Sequence, residues 1–144
     1  TIEFPASLTT IGVGAFTASK LENVYIPATV KNFGRYAFFH CESLKSVNIQ
    51  CEKTGSVSFS SCISLTDVTI GIGCKYIADS CFVYCDNLRK ITYEGTLAQW
   101  AEVGKGNLWD GHGGVQESVL ERIQCTDGFM EYDSENSVWK EVKN

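Results

Sequence analysis

Seven cysteines and two histidines carry the most reactive chemistry in this 144-residue chain, as nucleophiles, metal ligands, disulfide partners or general bases. Their arrangement supports little of it. "CFVYC", Cys81 to Cys85, places three residues between its thiols and has no second matching pair, so the closed four-ligand zinc pattern is missing. Ser-His-Asp catalysis needs a base held by an acid and aimed at a nucleophile, and no G-x-S-x-G elbow supplies one. His40 precedes Cys41, but neighbouring side chains in a tight turn point apart. His112 lies in the glycine-rich "GKGNLWDGHGG", which lacks the Gly-Lys-Ser/Thr order of a phosphate loop and reads as a loop around a buried Trp109. The acidic residues are scattered and offer no anchored pair. No catalytic residue, cofactor or metal site is expected, so the chain reads as a non-enzyme.

The cysteines instead follow a period. Leu21, Leu44, Leu65 and Leu88 recur at intervals of 23, 21 and 23 residues, and each opens a Leu-x-x-(Val/Ile)-x-(Ile/Tyr) unit. Phe16, Phe38, Phe59 and Phe82 precede them in register, Ser19, Cys41, Cys62 and Cys85 stand three residues after each phenylalanine, and each of the three cysteines stands three residues before its leucine. Ile11-Gly12, Phe33-Gly34 and Ile77-Ala78 form a further column, which a shorter third turn breaks at Thr54-Gly55. Ile2 and Phe4 fit the strand columns, giving about five turns. Alternation in "ENVYI" predicts a short strand with Val24 and Ile26 on one side and Asn23 and Tyr25 on the other. One such strand cannot fold alone. Stacked copies bury a continuous core, which predicts a solenoid with short parallel strands along one face.

Within that stack, Cys41, Cys62 and Cys85 form a predicted packing ladder, since a thiol is small and only weakly polar. Adjacent rungs lie about 4.8 Å apart, near the Cα range of a disulfide, so a bridge between rungs is the alternative to a reduced core. An odd number of cysteines leaves at least one without a partner in the chain. Cys51, Cys74 and Cys125 fall outside the ladder and are expected to be the reactive or paired ones.

The units "TIEFPASLTTIGVGAFTASKLENVYIP" and "IPATVKNFGRYAFFHCESLKSVNI" resemble leucine-rich repeats of the BspA-like type, over about residues 1 to 95. The resemblance rests on Pro, Val/Leu, Ile-Gly, Ala-Phe, Cys and Leu at fixed offsets, with Gln50 and Gly71 standing where Pro5 and Pro27 would recur. "YEGTLAQWAEV", Trp109 and "IQCTDG" are similar to the closing unit of such arrays. The resemblance implies a fold of α/β class, a right-handed leucine-rich-repeat solenoid with short parallel strands on its concave face, turns and short helices or strands elsewhere, and a cap of one helix and terminal strands. It also implies a bacterial surface or secreted setting and an adhesion-like use.

The expected organisation is repeats over 1–95, a closing unit over 96–128, and a terminal hairpin or tail over 129–144. "TLAQWAEV" predicts a helix with Thr96 as N-cap and with Leu97, Trp100, Ala101 and Val103 covering the last turn. "SVLERIQC" is expected to return toward the array, and two alternating segments around Asp133 to Asn136 predict a hairpin. The chain opens inside a repeat, as expected of a trimmed C-terminal fragment.

Function is then sought on the outward strand face. Thr1, Asn23, Ser46, Asp67 and Lys90 make one column and Glu3, Tyr25, Asn48, Thr69 and Thr92 the next, with Pro5, Pro27, Gln50, Gly71 and Glu94 beside them. Such a ribbon suits a protein or glycan partner, with Tyr25 as its amphipathic anchor. The competing reading is a spacer and capping segment of a larger surface protein, with no binding of its own. The net charge of −5 is concentrated after residue 116, where seven acidic residues face three basic ones. Without a basic stripe nucleic acid is not expected as a partner, and no apolar run approaches the roughly 18 residues of a membrane span.

Overall fold

The computed structural model describes residues 2–144. Thr1, assigned above to the outward column, lies outside them. The long strands are β2 (Asn23–Ile26), β4 (Ser46–Ile49), β5 (Asp67–Ile70) and β7 (Lys90–Tyr93), and the short ones β1 (Thr10–Ile11), β3 (Asn32–Phe33), β6 (Tyr76–Ile77) and β8 (Gly104–Lys105). A single helix, α1 (Leu97–Glu102), precedes β9 (Arg122–Gln124), β10 (Gly128–Asp133) and β11 (Val138–Lys143). The main sheet runs β2-β4-β5-β7-β9-β10-β11, parallel from β2 to β9 and antiparallel beyond. Short strands pair β1 with β3 and β6 with β8 along another side of the coil.

The register is that of the sequence period: Val24, Val47, Val68, Ile91 and Ile123 pair in one row. Each is buried, as are Ile26, Ile49, Ile70 and Tyr93 two residues on. A strand alternates its side chains between two faces, so these rows fill the interior and leave their neighbours outside. The fifth parallel strand comes from the closing unit, whose "RIQ" supplies the rung that follows β7. Ile2 and Phe4 were expected to make a strand of their own and do not; Phe4 is half-buried and packs on Phe16 at 5.4 Å between ring centroids.

From Phe16 the rings of Phe38, Phe59 and Phe82 stack at 5.3, 5.3 and 5.7 Å with planes within 10°. The segments that carry them are not helical, and the fold is a β-solenoid in which α1 is the one helix among the described residues. The cause is a pair of left-handed positions four residues apart in each turn: Gly14 and Ala18, Tyr36 and His40, Val57 and Ser61, Ser80 and Tyr84. A right-handed helix cannot pass through such positions. Alternate amides point instead at the next turn, and Tyr36, Phe38 and His40 donate to the carbonyls of Ser56, Ser58 and Ser60 at 2.9–3.0 Å.

Packing is close enough to dictate glycine. A Cβ on Gly34 would lie 2.4 Å from the backbone nitrogen of Val13, and one on Gly55 2.4 Å from the carbonyl oxygen of Gly34. In the irregular third turn Thr54 is buried, and its hydroxyl accepts from the amide of Ala78 at 2.9 Å.

Thr96 caps α1 as expected: its Oγ1 accepts from the Gln99 amide at 3.2 Å while Gln99 Oε1 accepts from the Thr96 amide at 2.8 Å. This reciprocal pair satisfies two otherwise orphaned donors of a short helix. Leu97, Trp100 and Val103 are buried against the array. Ala101 is exposed, contrary to expectation, because it lies about 100° around the helix from Trp100, the centre of the buried stripe.

Candidate binding face

The strands hold their outward residues in fixed rows. Asn23, Ser46 and Asp67 stand in register in one row, and Tyr25, Asn48, Thr69 and Thr92 in the next. Each of these side chains is exposed or half-buried, and Tyr25 is 55% exposed despite its size. Glu3, Asn23, Tyr25, Ser46, Asn48, Asp67 and Thr69 line one groove of about 550 Å³, floored by Ile2, Phe4, Val24 and Val47. Lys90 is exposed at the start of β7, where it pairs in register with Arg122, and Thr92 continues the Tyr25 row; neither lines the groove.

The third outward column departs from expectation. Pro27 and Gly71 are buried. Gln50 lies across Gly71, where a Cβ would meet its Oε1 at 2.1 Å. From there Gln50 Nε2 donates to Glu94 Oε1 and to Asn48 Oδ1, both at 2.7 Å. Ser46 Oγ donates to Asn23 Oδ1 at 2.6 Å. Sequence reading missed this network because its members are up to 44 residues apart and each is an ordinary surface residue on its own.

The thiols are all buried and free. Cys41, Cys62 and Cys85 donate to the carbonyls of Phe16, Phe38 and Phe59, one turn back each, at 3.1, 3.3 and 3.1 Å. Ser19, the hydroxyl in the same column, lies 3.4 Å from Cys41 Sγ. Cys51, Cys74 and Cys125 correct the expectation of reactivity, being at most 5% exposed. Burial pushes their thiols up to about 12, about 11 and about 11. A thiol that keeps its proton is a poor nucleophile.

The histidines do not assemble a catalytic group. His40 is exposed, 3.5 Å from Glu42, while Cys41 beside it is fully buried. His112 is held on both ring nitrogens, with Nε2 donating to the Leu120 carbonyl at 2.6 Å and Nδ1 2.5 Å from Glu117 Oε1. Its ring stacks on Tyr132, and that hydrogen bond holds the Glu117 carboxyl below its ordinary value. Both nitrogens of the imidazole are thereby engaged within the protein. Among the described residues no group of three or more His, Cys, Asp or Glu is placed to hold a metal ion, and no helix is long and apolar enough to cross a membrane.

Coils of 21 to 23 residues, a parallel strand at the same place in each, and a leucine and phenylalanine inside every turn define a leucine-rich-repeat solenoid. The chain belongs to the BspA type leucine rich repeat family, whose model matches six copies over residues 1–103. Among solved structures it is similar to a leucine-rich repeat protein from Bacteroides ovatus, at a TM-score of 0.54 and 20% identity, covering 88% of this chain and 49% of that one. A leucine rich cell surface protein from Faecalibacterium prausnitzii gives a TM-score of 0.44 at 22% identity, covering 95% and 50%. The chain thus spans about half the length of the solved structures it matches. A comparison with curated proteins gives no match.

Proposed function

We propose that this chain is a non-enzymatic binding module of a bacterial surface or secreted protein, presenting the concave face of a right-handed solenoid to a protein or glycan partner in an adhesion-like role. The module is read as repeats over 1–95, a closing unit over 96–128 and a terminal hairpin over 129–144. The observation that carries this reading is the groove around Tyr25, where rows of polar side chains from three rungs converge on one large exposed aromatic. An exposed aromatic that a partner buries at the centre of a polar rim is a common energetic focus of interfaces. Membership of a repeat family also supports it, since solenoids present extended binding surfaces.

The test is binding of the chain to extracellular-matrix proteins, mucins and bacterial envelope fractions, beside a Tyr25→Ala/Asn48→Asp variant of unchanged melting temperature. Loss of binding in the variant supports the reading. Binding that survives the double substitution, or none to any fraction, favours the spacer reading instead.

A further inference from the structure

The hydrogen bonds on the strand face leave a particular set of groups unspent. A carboxylate only accepts, so the Gln50 nitrogen must face Glu94, and the second proton of that nitrogen then fixes the oxygen of Asn48. Ser46 Oγ donates to the oxygen of Asn23 at 2.6 Å. Both asparagines therefore have their carbonyl oxygens occupied from within the protein, and their amide N–H groups have no partner among the described residues. Tyr25 stands between them, two residues from Asn23 along β2 and directly across from Asn48 in register. One rung further, Asp67 supplies a carboxylate in the Asn23 row and Thr69 a hydroxyl in the Asn48 row. Donors, acceptors and a bare ring thus converge in one groove.

Resting on the strand-face reading above, we propose that this groove binds a neutral saccharide, stacked on Tyr25 and held by the amide donors of Asn23 and Asn48 and the carboxylate of Asp67. A sugar hydroxyl both donates and accepts, so one ring answers the amides and the carboxylate together, as a hydroxyl does wherever it is bound. Its C–H face packs on the negative face of an aromatic ring. Charge narrows the class further. Glu3 and Asp67 are the charged residues lining the groove, and Lys90, next after Asp67 in the outward column, stands outside that lining, so a sulfated, sialylated or uronic-acid chain meets like charge along the groove. A lysine or arginine side chain would suit the carboxylates but offers no acceptor to the two amides. The groove's 550 Å³ falls within the span of about 300–1,000 Å³ common to small-ligand sites, enough for a few sugar units rather than a long polymer in cross-section.

The experiment is titration of the full chain with cellohexaose, mannohexaose, xylohexaose and chitohexaose. Polygalacturonate, heparin and a hexalysine peptide serve as charged counterparts, and the side-chain amide NMR signals of Asn23 and Asn48 are followed beside calorimetry. The expected result is that at least one neutral hexasaccharide shifts both amide signals, with affinity unchanged by added salt. Tyr25→Ala weakens it about tenfold, Asn48→Asp comparably, and Tyr25→Phe by less than about threefold. Failure of all four neutral probes at millimolar concentration to move either amide overturns the saccharide. If a protein ligand is then still lost in Tyr25→Ala, the strand-face reading stands without it. Binding of hexalysine alone, weakening with salt, also overturns it, in favour of a cationic peptide. Saccharide binding that Tyr25→Ala and Asn48→Asp leave intact overturns both the inference and its placement on this face.

Discussion

Gln50 and Glu94 are two rungs apart and are joined by a 2.7 Å hydrogen bond that passes over the bare Cα of Gly71. The glycine between them makes the crossing possible, and the crossing in turn orients Asn48. Two glycines of this array therefore have different jobs. Gly34 is confined by backbone, whereas Gly71 is covered by the far end of a flexible side chain.

That difference predicts an order of stabilities in urea denaturation. Gly34→Ala forces a methyl against the Val13 backbone and is expected to cost about 1–3 kcal/mol. Gly71→Ala displaces only the Gln50 amide, and its smaller unfolded-state entropy offsets the loss, leaving stability within about 1 kcal/mol of the parent. The reverse order would mean that the coils do not stack at Gly34 as described.

Burial of the thiols predicts an alkaline limit. Cys51 and Cys81 are pushed up to about 12 and Cys74 and Cys125 to about 11, from an ordinary value of 9.0, with Cys62 and Cys85 also raised and burial the leading cause in each. Above pH 9 the unfolded chain loses protons that the folded chain keeps. Stability is therefore full below that pH and falls through the window up to about 11–12, by about 1.4 kcal/mol per pH unit for each thiol. Urea midpoints taken from neutral to alkaline pH check the slope. Aromatic disulfide reagents at pH 8 should label no thiol of the folded chain, and rapid labelling of Cys74 would contradict its burial.

Within the ladder, Cys62→Ser is expected to cost about 1–3 kcal/mol by placing a stronger polar group where the thiol only lightly engages the Phe38 carbonyl. Thermal melts that show no loss would remove the packing role of this column.

The short helix depends on its cap. Thr96→Ala removes the acceptor of the Gln99 amide and should cost about 1 kcal/mol, while Thr96→Ser should recover most of it. Equal stability of all three forms would show that α1 is held by Leu97 and Trp100 alone.

Asp110 joins the closing unit to the terminal hairpin. Its buried carboxylate accepts from Trp139 Nε1 at 2.8 Å and from the His112 amide at 3.0 Å. Asp110→Ala leaves both donors unsatisfied, for an expected cost of about 1–3 kcal/mol. Hydrogen exchange should rise over residues 128–143 while β4 and β5 stay protected. Uniform deprotection of the array would show the link to be general rather than local.

Sequence alone determined the coil. The recurrence of leucine, phenylalanine and cysteine at 21 to 23 residues follows from stacking, because each column must fill the same space in every turn, and so the family, the parallel strands and the capped helix were readable from local pattern. The terminal hairpin was readable too, from alternation around a turn. What the tertiary structure decided were relations without a period. That "RIQ" would extend the sheet as the rung after β7 depends on a loop closing over Trp109, and a three-residue strand announces no partner. The burial of Cys51, Cys74 and Cys125, outside the ladder, depends on which edge of the coil they meet. The orientation of Asn23 and Asn48 depends on Ser46 and Gln50, and through Gln50 on Glu94, brought together only when the rungs stack. Periodicity fixes what one turn must share with the next; a binding face is made of what the turns do not share.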